Sequence, residues 1–168
     1  MSGIDAFRLD GRLALITGSS AGIGLALARG LAQAGAVVVI NGRQADKVAA
    51  TTAQLTSEGL TAHARPFDVT RRDQVDTAVA AIEAELGPID ILINNAGIQR
   101  RAPFHEFVAA DWDELMRTNL DSVFHVGQSV SRHMVPRKRG RIINICSVQS
   151  ELGTEQMLMM RPRLRGTM

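Results

Sequence analysis

Short apolar runs alternate with longer amphipathic ones along most of this chain, and that alternation leaves few folds open. Val37-Val38-Val39-Ile40 is an unbroken β-branched run. A strand with one face in water alternates apolar and polar residues, so a continuous run suits a strand buried on both faces of a parallel sheet. Leu13 to Ile16, Thr61 to Phe67, Ile89 to Ile93 and Arg141 to Cys146 are predicted as further strands. Between them, helices are predicted over Gly22 to Ala34, over 44–58 with Gly59 as the stop, and over Asp73 to Leu86 ended by Gly87-Pro88. A long helix is predicted from Asp111 to Met134, with Trp112, Leu115, Met116, Leu120, Val123, Phe124, Val130 and Met134 as one apolar stripe. Asp111 and Glu114 resemble a capping box at its start. Five such alternations predict right-handed crossovers and an α/β fold: a doubly wound parallel sheet with helices on both faces.

At 168 residues, with 45% hydrophobic and 21% charged positions, the chain has the size of one domain and enough apolar residues for a core. No apolar run approaches the roughly 20 residues of a membrane span. Asp5, Arg8, Asp10 and Arg12 near the start are unlike a signal peptide. The single cysteine, Cys146, excludes a disulfide framework and a zinc site built on several thiolates. A cytoplasmic location is expected from these features. The net charge of +2 is uneven: residues 1–131 carry 11 basic and 15 acidic side chains, residues 132–168 carry 8 and 2. The basic residues come as Arg137-Lys138-Arg139 and as Arg161, Arg163 and Arg165. No aromatic residue lies among them for base stacking, so neither nucleic acid nor membrane is expected as a partner. After Ser150 the alternation stops, and four of the seven methionines fall in the last twelve residues.

Strand one runs into Thr17-Gly18-Ser19-Ser20-Ala21-Gly22-Ile23-Gly24 and then into a helix. A glycine-rich turn there lets backbone approach a pyrophosphate, and the helix start offers free N–H groups and its positive dipole end. The βαβ context makes this a dinucleotide site of the Rossmann type rather than an ordinary tight turn. The end of strand two selects the cofactor. An acid there bonds the ribose 2′-hydroxyl of NAD, and an arginine accommodates a 2′-phosphate. This chain has Asn41-Gly42-Arg43 and no acid. Arg43 therefore favours NADP(H) over NAD(H), the alternative being a solvated turn arginine.

The spacing Gly18-x3-Gly22-x-Gly24 resembles that of the short-chain dehydrogenase/reductase family. So do Asn94-Asn95-Ala96-Gly97 after strand four, Asp68-Val69 after strand three, Thr118-Asn119 in the long helix, and Ile145-Cys146-Ser147 at the end of strand five. The resemblance implies that Gly18, Ser19, Ser20, Gly22, Ile23, Gly24, Arg43, Asp68, Val69, Asn95, Ala96 and Gly97 bind the cofactor. It also implies that Asn119 and Ser147 belong to the catalytic set. A narrower similarity, of Asn94-Asn95-Ala96-Gly97-Ile98-Gln99-Arg100-Arg101 together with Ile143-Asn144-Ile145-Cys146-Ser147-Val148-Gln149-Ser150-Glu151-Leu152, is to the gluconate 5-dehydrogenase branch. That branch passes a hydride between a nicotinamide cofactor and gluconate or 5-ketogluconate. Arg100 or Arg101 would then hold the sugar-acid carboxylate, the alternative being a solvent-facing arginine pair. Intact members are expected to be homo-oligomers.

The family's general acid/base is a tyrosine about thirteen positions after the serine, with a lysine four residues later. A cation beside the phenol is needed to bring it from its ordinary value near ~10 towards neutrality. Counting from Ser147 reaches Met160 and Leu164, the chain contains no tyrosine, and its only lysines are Lys47 and Lys138. The expected organisation is an incomplete NADP-binding domain over 1–152 and an unrelated basic, Met-rich tail over 153–168, as from an altered reading frame. An inactive dehydrogenase by descent is expected, the alternative being a silent nucleotide-binding fragment or a basic-tailed interaction protein. Strand five would then be an exposed edge, and part of the long helix would lose its cover. Cys146 reads as a core residue. His63, His105, His125 and His133 share no metal-ligand spacing. No metal site is expected. Asp111, Asp113 and Glu114 read as helix-start acids.

Overall fold

A computed structural model of the chain describes residues 5–146. Ser147 and the tail over 153–168 lie outside the described residues. Among those described, five parallel strands form one sheet in the order β3-β2-β1-β4-β5. They are β1 (Leu13–Ile16), β2 (Val37–Ile40), β3 (Ala62–Ala64), β4 (Ile89–Asn94) and β5 (Arg141–Asn144). The crossovers carry α1 (Gly22–Gln33), α2 (Ala45–Ser57), α3 (Arg72–Glu85), and α4 (Ala109–Met116) continuing into α5 (Ser122–Arg137). The expected Rossmann-type α/β architecture is what forms.

The pleat sorts each strand between two cores. Leu13, Leu15, Val39 and Leu92 pack under α3 and α5 with Val75, Val79, Ile82, Val126, Val130 and Met134. Ala14, Ile16, Val38, Ile40 and Ile93 face the other way and pack under α1 and α2 with Ala28, Ala32, Val48 and Leu55. Both faces of β1 and β2 are thus covered, which is why their sequences are apolar without a break. At the start of β4 the register slips: Leu13 pairs with Ile89 but Ala14 with Ile91. Asp90 is the extra residue. Its carboxylate, only 10% exposed, accepts from the Leu13 N–H at 3.2 Å and pairs with Arg139 at 2.9 Å.

Five expectations need correction. The long helix is interrupted: Arg117–Asp121 is a π-helical turn between α4 and α5. One added residue rotates the rest of the helix by roughly 100°. Thr118, Ser122, Val126, Ser129, Val130 and Met134 are the residues buried from that turn through α5, while Leu120 and Phe124 of the expected stripe are exposed. Buried Ser122 is satisfied by donating to the Thr118 carbonyl at 2.6 Å. The capping box does not form either. The helix starts two residues before Asp111, and Asp111 and Glu114 pair with Arg100 instead. Strand three stops at Ala64 rather than Phe67, because the carbonyls of Arg65 and Phe67 turn to bond the Asn41 side chain. Strand five stops at Asn144, all its residues are exposed, and Cys146 is exposed rather than core. Among the described residues, nothing pairs with the outer edge of β5. No helix among them is long and apolar enough to cross a membrane.

Candidate functional site

The carboxyl ends of β1, β2 and β4 open on a cleft of about 330 Å³. Its floor is set by the turn after β1. Gly18 takes φ +63°, and a Cβ on it would lie 2.8 Å from the Ala96 Cα. Only glycine therefore lets the turn after β1 touch the turn after β4. Thr17 ties the same two turns. Its hydroxyl oxygen accepts from the N–H groups of Asn95 and Ala96 at 2.9 and 3.0 Å. In return the Asn95 side chain donates to the carbonyls of Thr17 and Gly18.

Asn41, 1% exposed at the end of β2, is the hub of the other wall. Its side-chain oxygen accepts from the Gly18 N–H at 3.2 Å, and its nitrogen donates to the carbonyls of Arg65 and Phe67. One amide thus joins the ends of β1, β2 and β3. Ser19 lies beneath it, fully buried. Its hydroxyl donates to the Ile16 carbonyl and accepts from the Asn41 N–H, and its own N–H bonds the Asn41 carbonyl.

Of the expected nucleotide set, Gly18, Ser20 and Arg43 line the cleft on one side. Asp68, Val69, Asn95, Ala96 and Gly97 line it on the other. Ser19, Gly22, Ile23 and Gly24 do not. Gly24 is buried in the first turn of α1, and Ile23 is 68% exposed there. The first-turn N–H groups of α1 have no helical acceptor, and Ala21 offers no side-chain cap, so the helix start is open to an anion. Asp68 is held by its own turn: one carboxylate oxygen accepts from the Thr70 N–H and hydroxyl at 2.9 and 2.8 Å. The turns, the uncapped helix start and Arg43 beside them fit a dinucleotide carrying phosphate.

Asn119 stands in the π-helical turn and makes a two-way amide pair with Ile98. Its oxygen accepts from the Ile98 N–H at 2.8 Å and its nitrogen donates to the Ile98 carbonyl at 2.9 Å. This pins the loop after β4, so Gly97 and Ile98 form the cleft wall. Asn94 and Asn144 bond side chain to side chain at 2.9 Å and bring the end of β5 beside β4. Arg100 is engaged by Glu114 at 2.5 Å and by Asp111 at 3.6 Å. Arg101 is exposed and forms no ion pair with the described residues.

Sequence reasoning missed three participants. In sequence, Asn41 is notable only for not being an acid, and its side-chain hydrogen bonds join residues distant along the chain. Thr17 belongs to the glycine turn by position, but nothing local announces its bonds to Asn95 and Ala96. Lys47 also lines the cleft, and nothing local in the sequence marks it.

The fold, the glycine turn and the Asn119–Ile98 pair together define a class of protein. The family profile described as short chain dehydrogenase matches residues 12–159, and the chain belongs to that family. Among curated relatives, gluconate 5-dehydrogenase of Gluconobacter oxydans is 60% identical over 152 residues, covering 90% of this chain and 59% of that protein. The 5-keto-D-gluconate 5-reductase of Escherichia coli is 50% identical over 151 residues, again covering 90% of this chain and 59% of that one. Among solved structures, a gluconate 5-dehydrogenase from Burkholderia cenocepacia, in complex with NADP and tartrate, superposes with a TM-score of 0.89 at 57% identity. That match covers 92% of this chain and 61% of the other. The chain thus spans about three fifths of the length of these relatives.

Proposed function

We propose that this chain is the nucleotide-binding part of an NADP(H)-dependent oxidoreductase acting on a sugar acid of the gluconate and 5-ketogluconate kind. The observation that carries the reading is Arg43, unpaired among the described residues, at the rim of a phosphate-accepting cleft whose second strand ends without an acid. The NADP complex of the Burkholderia relative supports the cofactor. The names of the two curated relatives support the substrate class. Tartrate in that same complex is itself a hydroxy carboxylate.

When bound, the nicotinamide supplies or accepts the hydride. The chain's own residues bind and orient. The α1 start and the Gly18 turn receive the pyrophosphate, Arg43 the 2′-phosphate, and Asp68-Val69 the adenine side. The Asn119–Ile98 pair holds the wall against which the nicotinamide end would lie. Arg101 suits the substrate carboxylate better than Arg100, whose guanidinium is engaged by Glu114 and Asp111. Ser147 would bond the reacting oxygen. The proton step needs the tyrosine and lysine that the family resemblance implies, and these 168 residues contain no tyrosine. The chain by itself therefore binds nucleotide without turnover.

Titrating the purified chain with NADPH and with NADH, following nucleotide fluorescence, tests the first half. Tighter binding of NADPH is expected, and equal affinity or a preference for NADH would overturn it. Gluconate oxidation with NADP, run beside an intact relative, tests the second. General acid–base catalysis is worth about 10²–10⁴-fold, so turnover within tenfold of the relative would show that another group moves the proton.

A further inference from the structure

Two cations, not one, stand at the end of the cleft beyond β2. Arg43 is in the turn before α2, and Lys47 is in the first turn of α2. Both side chains belong to residues that line the cleft, both residues are exposed, and neither forms an ion pair with any described residue. We propose that Lys47 is a second ligand of the nucleotide 2′-phosphate and that it shares with Arg43 the discrimination of NADP(H) from NAD(H). This rests on the nucleotide reading of the cleft and assigns a residue which that reading leaves unused.

The local packing gives Lys47 its place. The buried face of α2 consists of Val48, Thr51 and Leu55. Lys47 is one turn before Thr51, on the flank of that face. The Thr51 hydroxyl donates to the Ser20 carbonyl at 3.0 Å, so this column of α2 is fastened to the glycine turn itself. Gly42 closes the gap from the other side. A Cβ there would lie 2.9 Å from the Ser20 Oγ and 3.2 Å from a Val48 methyl, so a side chain at 42 would push the two turns apart. Ser20, Arg43 and Lys47 therefore share one rim of the cleft. Gln44 leaves the α2 start without a side-chain cap, so its first-turn N–H groups and positive dipole end add to the same rim.

The charges on that rim are of one sign. Asp46, the first-turn acid, is one residue round the helix and does not line the cleft. Asp68 is the only acid among the described residues of the wall, and its Oδ1 oxygen is occupied by Thr70. A phosphate monoester carries about 1.5 to 2 negative charges near neutral pH, more than one guanidinium balances. The ribose 2′-hydroxyl of NAD carries none. The pyrophosphate is common to both cofactors, so a second cation beside the 2′ position is felt more strongly by the phosphorylated one.

The experiment measures affinities of the 168-residue chain for NADPH and NADH by fluorescence, and for 2′,5′-ADP and 5′-AMP by displacement. The variants are Lys47→Gln, Lys47→Arg, Arg43→Gln and the double Lys47→Gln/Arg43→Gln. Lys138→Gln removes the same charge from the turn after α5, on the opposite edge of the sheet from this rim. Lys47→Gln should weaken NADPH and 2′,5′-ADP about tenfold, as expected for a charge-assisted hydrogen bond. NADH and 5′-AMP should be unchanged, Lys47→Arg should retain the preference, and the double variant should abolish it. Lys138→Gln should change nothing. If Lys47→Gln is silent while Arg43→Gln weakens NADPH, the phosphate site has one cation and the proposal falls, with the NADP reading intact. If Lys47→Gln weakens NADPH and NADH alike, the lysine supports the rim generally and the proposal falls. If the unmodified chain itself fails to prefer NADPH, the underlying reading falls first.

Discussion

At the scale of single residues, the cleft depends on a few atoms that serve several chain segments at once. The Asn41 side chain satisfies three backbone groups from two different turns. Asn41→Ala leaves them unpaired, the Phe67 carbonyl buried and the other two groups part-buried. Each such loss costs about 1–3 kcal/mol, and partial access of water makes a total of about 2–4 kcal/mol the expected result. Urea unfolding would read this as a fall in midpoint at unchanged slope, and a loss under about 0.5 kcal/mol, the usual range for surface changes, would contradict the hub role. Gly18→Ala combines a left-handed φ with a contact of 2.8 Å to backbone. It should cost about 1–3 kcal/mol and weaken NADPH binding, since separating the two turns reshapes the floor of the cleft. Retained stability with unchanged affinity would mean that the turns can move apart freely.

Two elements matter most beyond the sheet: the π-helical turn and the ion-paired base of the fold. The π-helical turn carries Asn119 to Ile98. Asn119→Ala should leave global stability within about 1 kcal/mol, because the pair is exposed. It should speed amide hydrogen exchange in the loop after β4, and protection equal to that of the unmodified chain would remove the positioning role. At the opposite end, Glu83 is 10% exposed. It takes Arg137 bidentately at 2.5 and 3.0 Å and also accepts from the Ile89 N–H at 3.0 Å. The hydrogen bonds that Arg137 donates to Glu83 raise the Arg137 pKa above its ordinary value. The pair joins the end of α3, the end of α5 and the start of β4. Glu83→Ala should cost about 2–3 kcal/mol, and Arg137→Ala less on the guanidinium side because that side chain is 32% exposed. A double-mutant cycle should show coupling of about 1 kcal/mol, whereas additive losses would mean that the two side chains act separately.

At the scale of the whole fold, the dominant property among the described residues is the uneven cover of the sheet. The strands β1 and β2 lie under helices on both faces, whereas Ile142, Ile143 and Ile145 are 42, 46 and 40% exposed on and just after the edge strand β5. Such an edge offers unpaired N–H and C=O groups beside apolar side chains. The 168-residue chain should self-associate with rising concentration, and Ile143→Lys should reduce that association with little effect on the midpoint of unfolding. Sedimentation velocity over a concentration series checks it. A monomer at every concentration would show that the edge is protected.

The layered α/β fold was legible in the sequence because local pattern and burial coincide there. Val37 to Ile40 is apolar at every position because helices cover both faces of its strand, and Gly59 and Gly87 end their helices with the positive φ that their positions need. The glycine turn between β1 and α1 was equally legible, since strand, glycines and helix are contiguous. The interruption of the α4–α5 helix was not: a π-helical turn leaves no mark in a 3.6-residue periodicity. Nor were the roles of Thr17, Asn41 and Thr51, which are hydroxyl and amide groups whose partners lie on other strands and turns. Arg100 and Arg101 look alike in sequence, and only the nearness of Glu114 and Asp111 separates the engaged one from its neighbour. Periodicity and turn chemistry are properties of neighbours along the chain, so the sequence alone determined the architecture and the address of the cleft. Which polar groups meet across that cleft depends on the closure of long loops, and only the tertiary structure decided it.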